Sequence, residues 1–154
     1  MKRLHIHIGV EHIETAIPFY SALFGAQPVK TKADYAKWLL DDPRVNFAIS
    51  TRASKKGIDH LGIQVDDHNE LDELRGRIKS AALPGFDEGE TVCCYAKSDK
   101  TWVQDPAGVA WETYRTMEDA QIYGKNPLMS ESACCTPETL ATPNCCAPSE
   151  NTAG

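Results

Sequence analysis

The chain has 154 residues, 16 Lys plus Arg against 22 Asp plus Glu, and a net charge of −6. That length suits one globular domain, and an acidic balance with no basic block argues against nucleic acid or an anionic membrane as partner. No apolar run approaches the roughly 20 residues of a membrane span. The apolar stretch behind Met1-Lys2-Arg3 is broken by His5, His7 and Glu11, unlike an export signal. A cytoplasmic protein, monomeric or homodimeric, is the expectation.

In chain order, His5-Ile-His-Ile-Gly-Val10 alternates polar and apolar residues like a half-buried strand. Ile13, Ala16, Ile17, Tyr20, Leu23 and Phe24 then recur at helical spacing, with Gly25 placed to end the helix. Trp38-Leu-Leu-Asp-Asp-Pro43 and Val45-Asn-Phe-Ala-Ile49 follow as further strands. The pattern then repeats. His60-Leu-Gly-Ile-Gln-Val65 matches the first strand at an offset of 55. Asp67 with Glu70 forms a helix-capping pair, and Leu71, Leu74, Ile78 and Ala81 mark a second amphipathic helix. Trp102-Val-Gln-Asp-Pro106 and Val109-Ala-Trp-Glu112 echo the closing strands, the Asp-Pro turns being offset by 63. Each half reads as strand, helix, then several strands, an α+β arrangement of two modules at about 1–53 and 57–124.

Beyond Gly124 the composition changes. Residues 125–154 hold no aromatic side chain, four prolines and four of the six cysteines. Such a stretch cannot bury enough apolar surface to offset its ordering entropy, so it is expected to be a disordered tail.

Alternation sets His5, His7 and Gly9 on one face of the first strand and His60, Gly62 and Gln64 on one face of its repeat. If the apolar faces pack on the helices, the histidine faces line a shared concavity. Ala110, Glu112 and Tyr114 share a face too, and the turn count makes Ile49 the counterpart of Glu112 in the first half. Two imidazoles and one carboxylate, His5, His60 and Glu112, thus converge as a 2-His-1-carboxylate triad, which leaves positions open for substrate and dioxygen on Fe(II). Zinc or manganese would suit the same ligands. His7 is the rival of His5 or its supporting partner; His12 and His68 fall where the helices begin and are expected in solvent.

All six cysteines occur as adjacent pairs, Cys93-Cys94, Cys134-Cys135 and Cys145-Cys146. Adjacent Cα atoms lie about 3.8 Å apart, below the usual disulfide range of about 4.4–6.8 Å, so dithiols are expected in a reducing compartment. A vicinal dithiol suits a soft centre with two exchangeable positions, such as trivalent arsenic or cadmium.

The stretches His5–Val10, Pro18-Phe19-Tyr20, Asp59–Asp67 and Asp105–Glu112 resemble the vicinal oxygen chelate superfamily, which includes glyoxalase I, the bleomycin and fosfomycin resistance proteins and the extradiol dioxygenases. The resemblance covers nearly all of residues 1–124 and implies the vicinal oxygen chelate fold, two βαβββ modules whose sheets curl around a metal. More narrowly, residues 35–50, residues 89–102 and the paired-cysteine tail resemble the bacterial carbon-arsenic lyases, also known as cadmium-induced proteins. That resemblance implies an Fe(II)-dependent dioxygenase, with dioxygen as co-substrate, cleaving the carbon–arsenic bond of trivalent methyl or aryl arsenicals to release arsenite. It maps iron onto His5, His60 and Glu112 and the substrate arsenic onto Cys93 and Cys94. Cys134, Cys135, Cys145 and Cys146 would serve as accessory arsenical-binding pairs.

Consecutive side chains of a strand point to opposite faces, so Cys93-Cys94 is expected in a turn or mobile loop, with Asp87-Glu-Gly-Glu90 leading into it. Val45, Phe47 and Ile49 are expected to wall the cavity or fill the core. Lys97 and Lys100 read as surface lysines; Trp38, Trp102 and Trp111 read as core. Two other functions remain open. A thiol-based arsenic or cadmium binding protein needs the cysteines but not the triad. A glyoxalase-like enzyme needs the metal but not the dithiol, and usually carries a fourth ligand where this count puts Ile49.

Overall fold

The computed structural model describes residues 1–121 and Gly124. The expectations for residues 125–154, Cys134, Cys135, Cys145 and Cys146 among them, lie outside the described residues.

The chain runs β1 (Arg3–Gly9), α1 (Ile13–Phe24), β2 (Lys30–Lys32), β3 (Tyr35–Asp41), β4 (Arg44–Ser50), then β5 (Gly57–Val65), α2 (His68–Ser80), β6 (Gly85–Cys93), β7 (Ala96–Gln104) and β8 (Ala110–Asp119). The strands form one sheet in the order β2-β3-β4-β1-β5-β8-β7-β6. The two βαβββ modules therefore meet edge to edge through the antiparallel pair β1–β5, and each closes on itself through a parallel pair, β1–β4 and β5–β8.

The apolar face of the first half packs on α1. Ile13, Ala36, Trp38, Val45, Phe47 and Ile49 form the main buried cluster, joined by Ile6, Ile8, Ala16, Ile17, Tyr20 and Phe24. Burying each large side chain of this kind contributes about 1.5–3 kcal/mol. Leu23 instead stays 65% exposed, because Phe24 takes the inward position of the last turn. Gly25 ends α1 in the left-handed region, at φ 62°. In the second half Ile63, Val65, Leu71 and Leu74 make a smaller core under α2. Asp67 caps that helix by accepting from the Glu70 N–H, while Glu70 accepts from the Asp66 N–H. No described helix is long and apolar enough to cross a membrane.

The opposite face of the sheet curls over itself, so that Tyr35 and Ala48 of one half pack against Tyr95 of the other. The polar residues on this concave face are buried: His5, His7, Asn46, Ser50, His60, Ser98, Lys100 and Glu112. Burying so many polar groups is costly unless each has a partner, which makes this face the place to look for function.

Two expectations about β4 need correction. Ladder register pairs His7 with Ala48 and Gly62 with Glu112, so the counterpart of Glu112 is Ala48, not Ile49. Val45, Phe47 and Ile49 face α1 and belong to the core, leaving Asn46, Ala48 and Ser50 as the cavity side of that strand.

Candidate metal and thiol site

Neighbouring strands hold the three proposed ligands. His5 on β1 stands opposite Gly62 of β5, and Gly62 stands opposite Glu112 of β8. Gly62 has to be glycine, since a Cβ there would lie 2.7 Å from both Cγ and the backbone oxygen of Glu112. His5 Nε2 is 3.3 Å from His60 Nε2 and 3.4 Å from Glu112 Oε1, and His60 Nε2 is 3.6 Å from the same oxygen. Donor atoms on a first-row divalent ion, with bonds of about 2.0–2.2 Å, stand about 3–3.5 Å apart, so this triangle fits such an ion.

Every ligand is held from behind. His5 Nδ1 donates to the Asn46 carbonyl at 3.0 Å and His60 Nδ1 to Asp59 Oδ2 at 2.8 Å, which leaves each Nε2 free to ligate. Glu112 Oε2 accepts from Lys100 Nζ at 2.7 Å, which leaves Oε1. Lys100, expected on the surface, is 4% exposed and lies 5.6 and 5.4 Å from the ring centroids of Trp102 and Tyr114. It shares the inward parity of Ser98 and Trp102 on β7. Lys97 is partly exposed and pairs with Glu90, as a surface lysine does.

Asp59 was not foreseen as a site residue. Strict alternation would turn it away from His60, but the register slips between His7 and Ile8, pairing His7 with His60 and Ile8 with Ile58. Asp59 is the extra residue of a bulge, which re-aims its carboxylate onto both rings. His7 does not join the triangle. Its Nδ1 faces Asp59 Oδ2 at 3.4 Å and His60 Nδ1 at 3.3 Å, and its Nε2 meets Ser50 Oγ at 3.0 Å, so it supports the site from behind.

The charges explain what the triangle lacks. Burial pushes His5 down to about 3, keeping it a neutral donor. Burial opposes charge at His60 too, but hydrogen bonds to Asp59 and Glu112 outweigh it and raise the ring to about 9. Burial would likewise raise Glu112, yet Lys100 and His60 hold it far below the carboxylate range. Without a cation, the two carboxylates keep a proton on His60; a divalent ion on the Nε2 atoms answers the same demand.

The dithiol faces the same cavity. Cys93 ends β6 opposite Ala96, and Cys94-Tyr95 is a two-residue hairpin turn with both φ positive, 56° and 59°. Of the two expected alternatives it is the turn, and Asp87–Glu90 lies within β6. Two non-glycine residues in the left-handed region are costly. Lys30 Nζ and the Ala120 N–H, both at 2.9 Å, hold the Tyr95 carbonyl, and the Tyr95 hydroxyl donates to Asp34. The sulfurs stand 2.9 Å apart. A hydrogen bond from Cys93 lowers the Cys94 thiol to about 5, while that bond and burial push Cys93 up. A proton shared between sulfurs this close favours the thiolate on Cys94 over Cys93. The cavity, about 30 Å³, is lined by His5, Glu112, Cys93, Cys94, Lys100 and Tyr114, with Tyr35, Lys37 and Thr116 also on its wall.

The sequence behind this curled sheet of paired βαβββ modules is matched by a family model. The chain belongs to the glyoxalase/bleomycin resistance protein/dioxygenase superfamily, whose model covers residues 2–113. The trivalent organoarsenical cleaving enzyme of Bacillus sp. (strain MD1) is 39% identical over 95% of this chain and 99% of its own length. The enzyme of that name from Thermomonospora curvata is 36% identical over 89% and 90%. The cadmium-induced protein CadI of Mycobacterium tuberculosis is 34% identical over 86% and 88%. Among solved structures, the Mn(II)-bound glyoxalase from Novosphingobium aromaticivorans superposes with a TM-score of 0.55 at 19% identity, over 82% of this chain and 43% of that one, a likeness of fold.

Proposed function

We propose that the protein is an Fe(II)-dependent dioxygenase that cleaves the carbon–arsenic bond of trivalent organoarsenicals and releases arsenite. One observation carries this reading: a vicinal dithiol shares one cavity with His5 and Glu112, two members of a His-His-carboxylate triangle that His60 completes. The names of the curated relatives support it. A trivalent monoorganoarsenical has one carbon and two exchangeable ligands. Cys94, already a thiolate, bonds to arsenic first, and Cys93 closes the second bond within the complex at high effective concentration. The carbon–arsenic bond is then the one left to react. Bound Fe(II) would supply dioxygen activation at the positions His5, His60 and Glu112 leave open. Asn46, Asp59 and Lys100 keep those three donors aimed. Methyl and aryl substituents alike would lie along the wall formed by Tyr35 and Lys37.

A thiol-only binding protein would not need three ligands each braced from behind. A glyoxalase-like enzyme would want a fourth ligand on β4, where Ala48 has none to offer. The test is anaerobic Fe(II) loading, addition of trivalent methylarsenical with or without oxygen, and measurement of arsenite. Release should require oxygen, vanish in Glu112→Ala with arsenical binding retained, and vanish in Cys93→Ser and Cys94→Ser with Fe(II) binding retained. Oxygen-independent release, or full turnover by any of the three variants, overturns the reading.

A further inference from the structure

Tyr35 and Lys37 of β3 and Cys93 and Cys94 at the β6–β7 turn share the wall of the thiol cavity, and three lysines cluster at this side, with Asp119 beside Lys30. Lys30 and Lys37 stand directly opposite each other on β2 and β3, with Lys32 two residues beyond Lys30. Lys30 is committed to the Tyr95 carbonyl and to Asp119. Lys32 Nζ lies 5.5 Å from the Tyr95 ring centroid. Asp34 is paired with Arg52, and Lys97 with Glu90 and Glu118. Lys37 remains. It lines the cavity together with Cys93 and Cys94 and is half-buried. Among the described residues its ammonium has neither a hydrogen bond nor an ion pair. Burial first, and Lys30 next, hold it below the usual lysine range, as befits an ammonium without a carboxylate of its own. Three lysines against Asp119 make this side positive in a protein of net charge −6. Asp119 and Cys94 offset the Lys37 charge only from a distance, less than burial and Lys30 oppose it, and a visiting anion in direct contact would relieve the remaining cost.

The anion has to come with what the cavity loads. In a thiol-rich solution a trivalent organoarsenical travels with a thiol on each of its two exchangeable positions. When arsenic reaches Cys94, each thiol it sheds leaves by way of the cavity wall on which Lys37 stands.

We propose that Lys37, backed by Lys30 and Lys32, binds carboxylates on the thiols that deliver the arsenical, so that the preferred substrate form is an organoarsenical carried by an acidic thiol. The inference rests on the arsenical reading above. In the loading step the Cys94 thiolate forms an As–S bond as one carrier As–S bond breaks and its thiolate leaves. The Cys93 sulfur then displaces the second carrier, which takes the Cys93 proton. Two As–S bonds form, two break, and arsenic stays trivalent.

Two experiments test this on the full chain with Cys134, Cys135, Cys145 and Cys146 replaced by Ser, so that Cys93-Cys94 is the one dithiol read out. The first uses no arsenical: the dithiol is alkylated with iodoacetate and with iodoacetamide, each rate normalised to free cysteine. Iodoacetate should be favoured about tenfold at low ionic strength. The preference should shrink in about 0.5 M salt, fall to near one in Lys37→Met and return in Lys37→Arg. The second follows, by intact mass, transfer of methylarsenical from its bis-adducts with mercaptosuccinate, mercaptoethanol and cysteamine. The expected order is acidic, neutral, cationic, with the spread collapsing in Lys37→Met and kept in Lys37→Arg. Equal rates from all three carriers, or a spread unchanged in Lys37→Met, overturns the proposal and leaves the arsenical reading standing. If no carrier transfers arsenic to the dithiol, the arsenical reading falls and the proposal with it.

Discussion

Lys100→Met tests the electrostatic reading of the site without touching a proposed ligand. Lys100 Nζ is 2.7 Å from Glu112 Oε2, and the two side chains are 5% and 2% exposed. Removing one partner of a buried ion pair costs about 3–5 kcal/mol, because the other charge stays buried and unpaired. Glu112 has an escape, which is to take up a proton. At pH 7, which is 2.5 units above the ordinary carboxyl value of 4.5, that costs about 3.4 kcal/mol at 1.36 kcal/mol per unit. The expected loss is therefore about 3 kcal/mol at pH 7, or roughly 10 °C in Tm for a domain of this size. Its sign with pH follows from linkage. The Glu112 carboxyl is depressed in the native protein, so it contributes stability above the unfolded value of about 4.5, and this is lost as pH falls below that value. In Lys100→Met burial raises the carboxyl with only the histidines, His60 foremost, left to oppose it, so it takes up a proton at a higher pH than in the wild type. The deficit should thus be largest near pH 7 and narrow toward pH 4. The double variant Lys100→Met/Glu112→Gln leaves no unpaired charge and should be more stable than Lys100→Met alone, which a double-mutant cycle would read as coupling. The assay is thermal and urea unfolding of the metal-free protein across pH 4 to 7.5. A deficit that is absent, or that is constant with pH and persists in the double variant, would refute the pair as the force holding Glu112.

Asp59→Asn removes the charge behind His60 Nδ1 and should weaken Fe(II) or Co(II) binding by about 10–100-fold in an anaerobic titration; unchanged affinity would strip Asp59 of that role. Gly62→Ala drives a methyl group onto the Glu112 backbone oxygen, which cannot rotate away. It should cost about 1–3 kcal/mol of stability and weaken Co(II) binding as well, and a variant normal in both melting and titration would contradict the close packing of β5 on β8.

The parts of this site that could be read from the sequence are those governed by the two-residue period of a strand. His5, His60, Glu112 and Tyr114 fall on the concave face because β1, β5 and β8 alternate as expected and β1 repeats in β5. Counting from the Asp-Pro turns gives Ile49 as the counterpart of Glu112, whereas the ladders are fixed by inter-strand hydrogen bonds and place Ala48 opposite His7. Asp59 was hidden by the same period that revealed His60, since one extra residue between Ile58 and His60 reverses its face, and no residue type there announces a bulge. The hairpin at Cys94-Tyr95 carries none of the Gly, Asn or Asp that mark such a turn, being held by Lys30, Asp34 and Ala120 from distant parts of the chain.

Lys100 was misplaced for a different reason. Alternation from the buried Trp102 puts Lys100 on the inner face, but a lysine is ordinarily assigned to solvent by its type. Type and parity disagree there, as they do at Lys37, which alternates with the buried Tyr35 on β3. The disagreement resolves only when β1 pairs with β5 and the sheet curls, bringing a carboxylate from β8 and thiols from the end of β6 around one cavity. Buried charge in this chain is thus decided by strand pairing, as where Lys100 of β7 meets Glu112 of the neighbouring β8, 12 residues on. Positions where strand parity buries a charge that residue type would expose are, in this protein, the positions that frame the metal triangle and the dithiol.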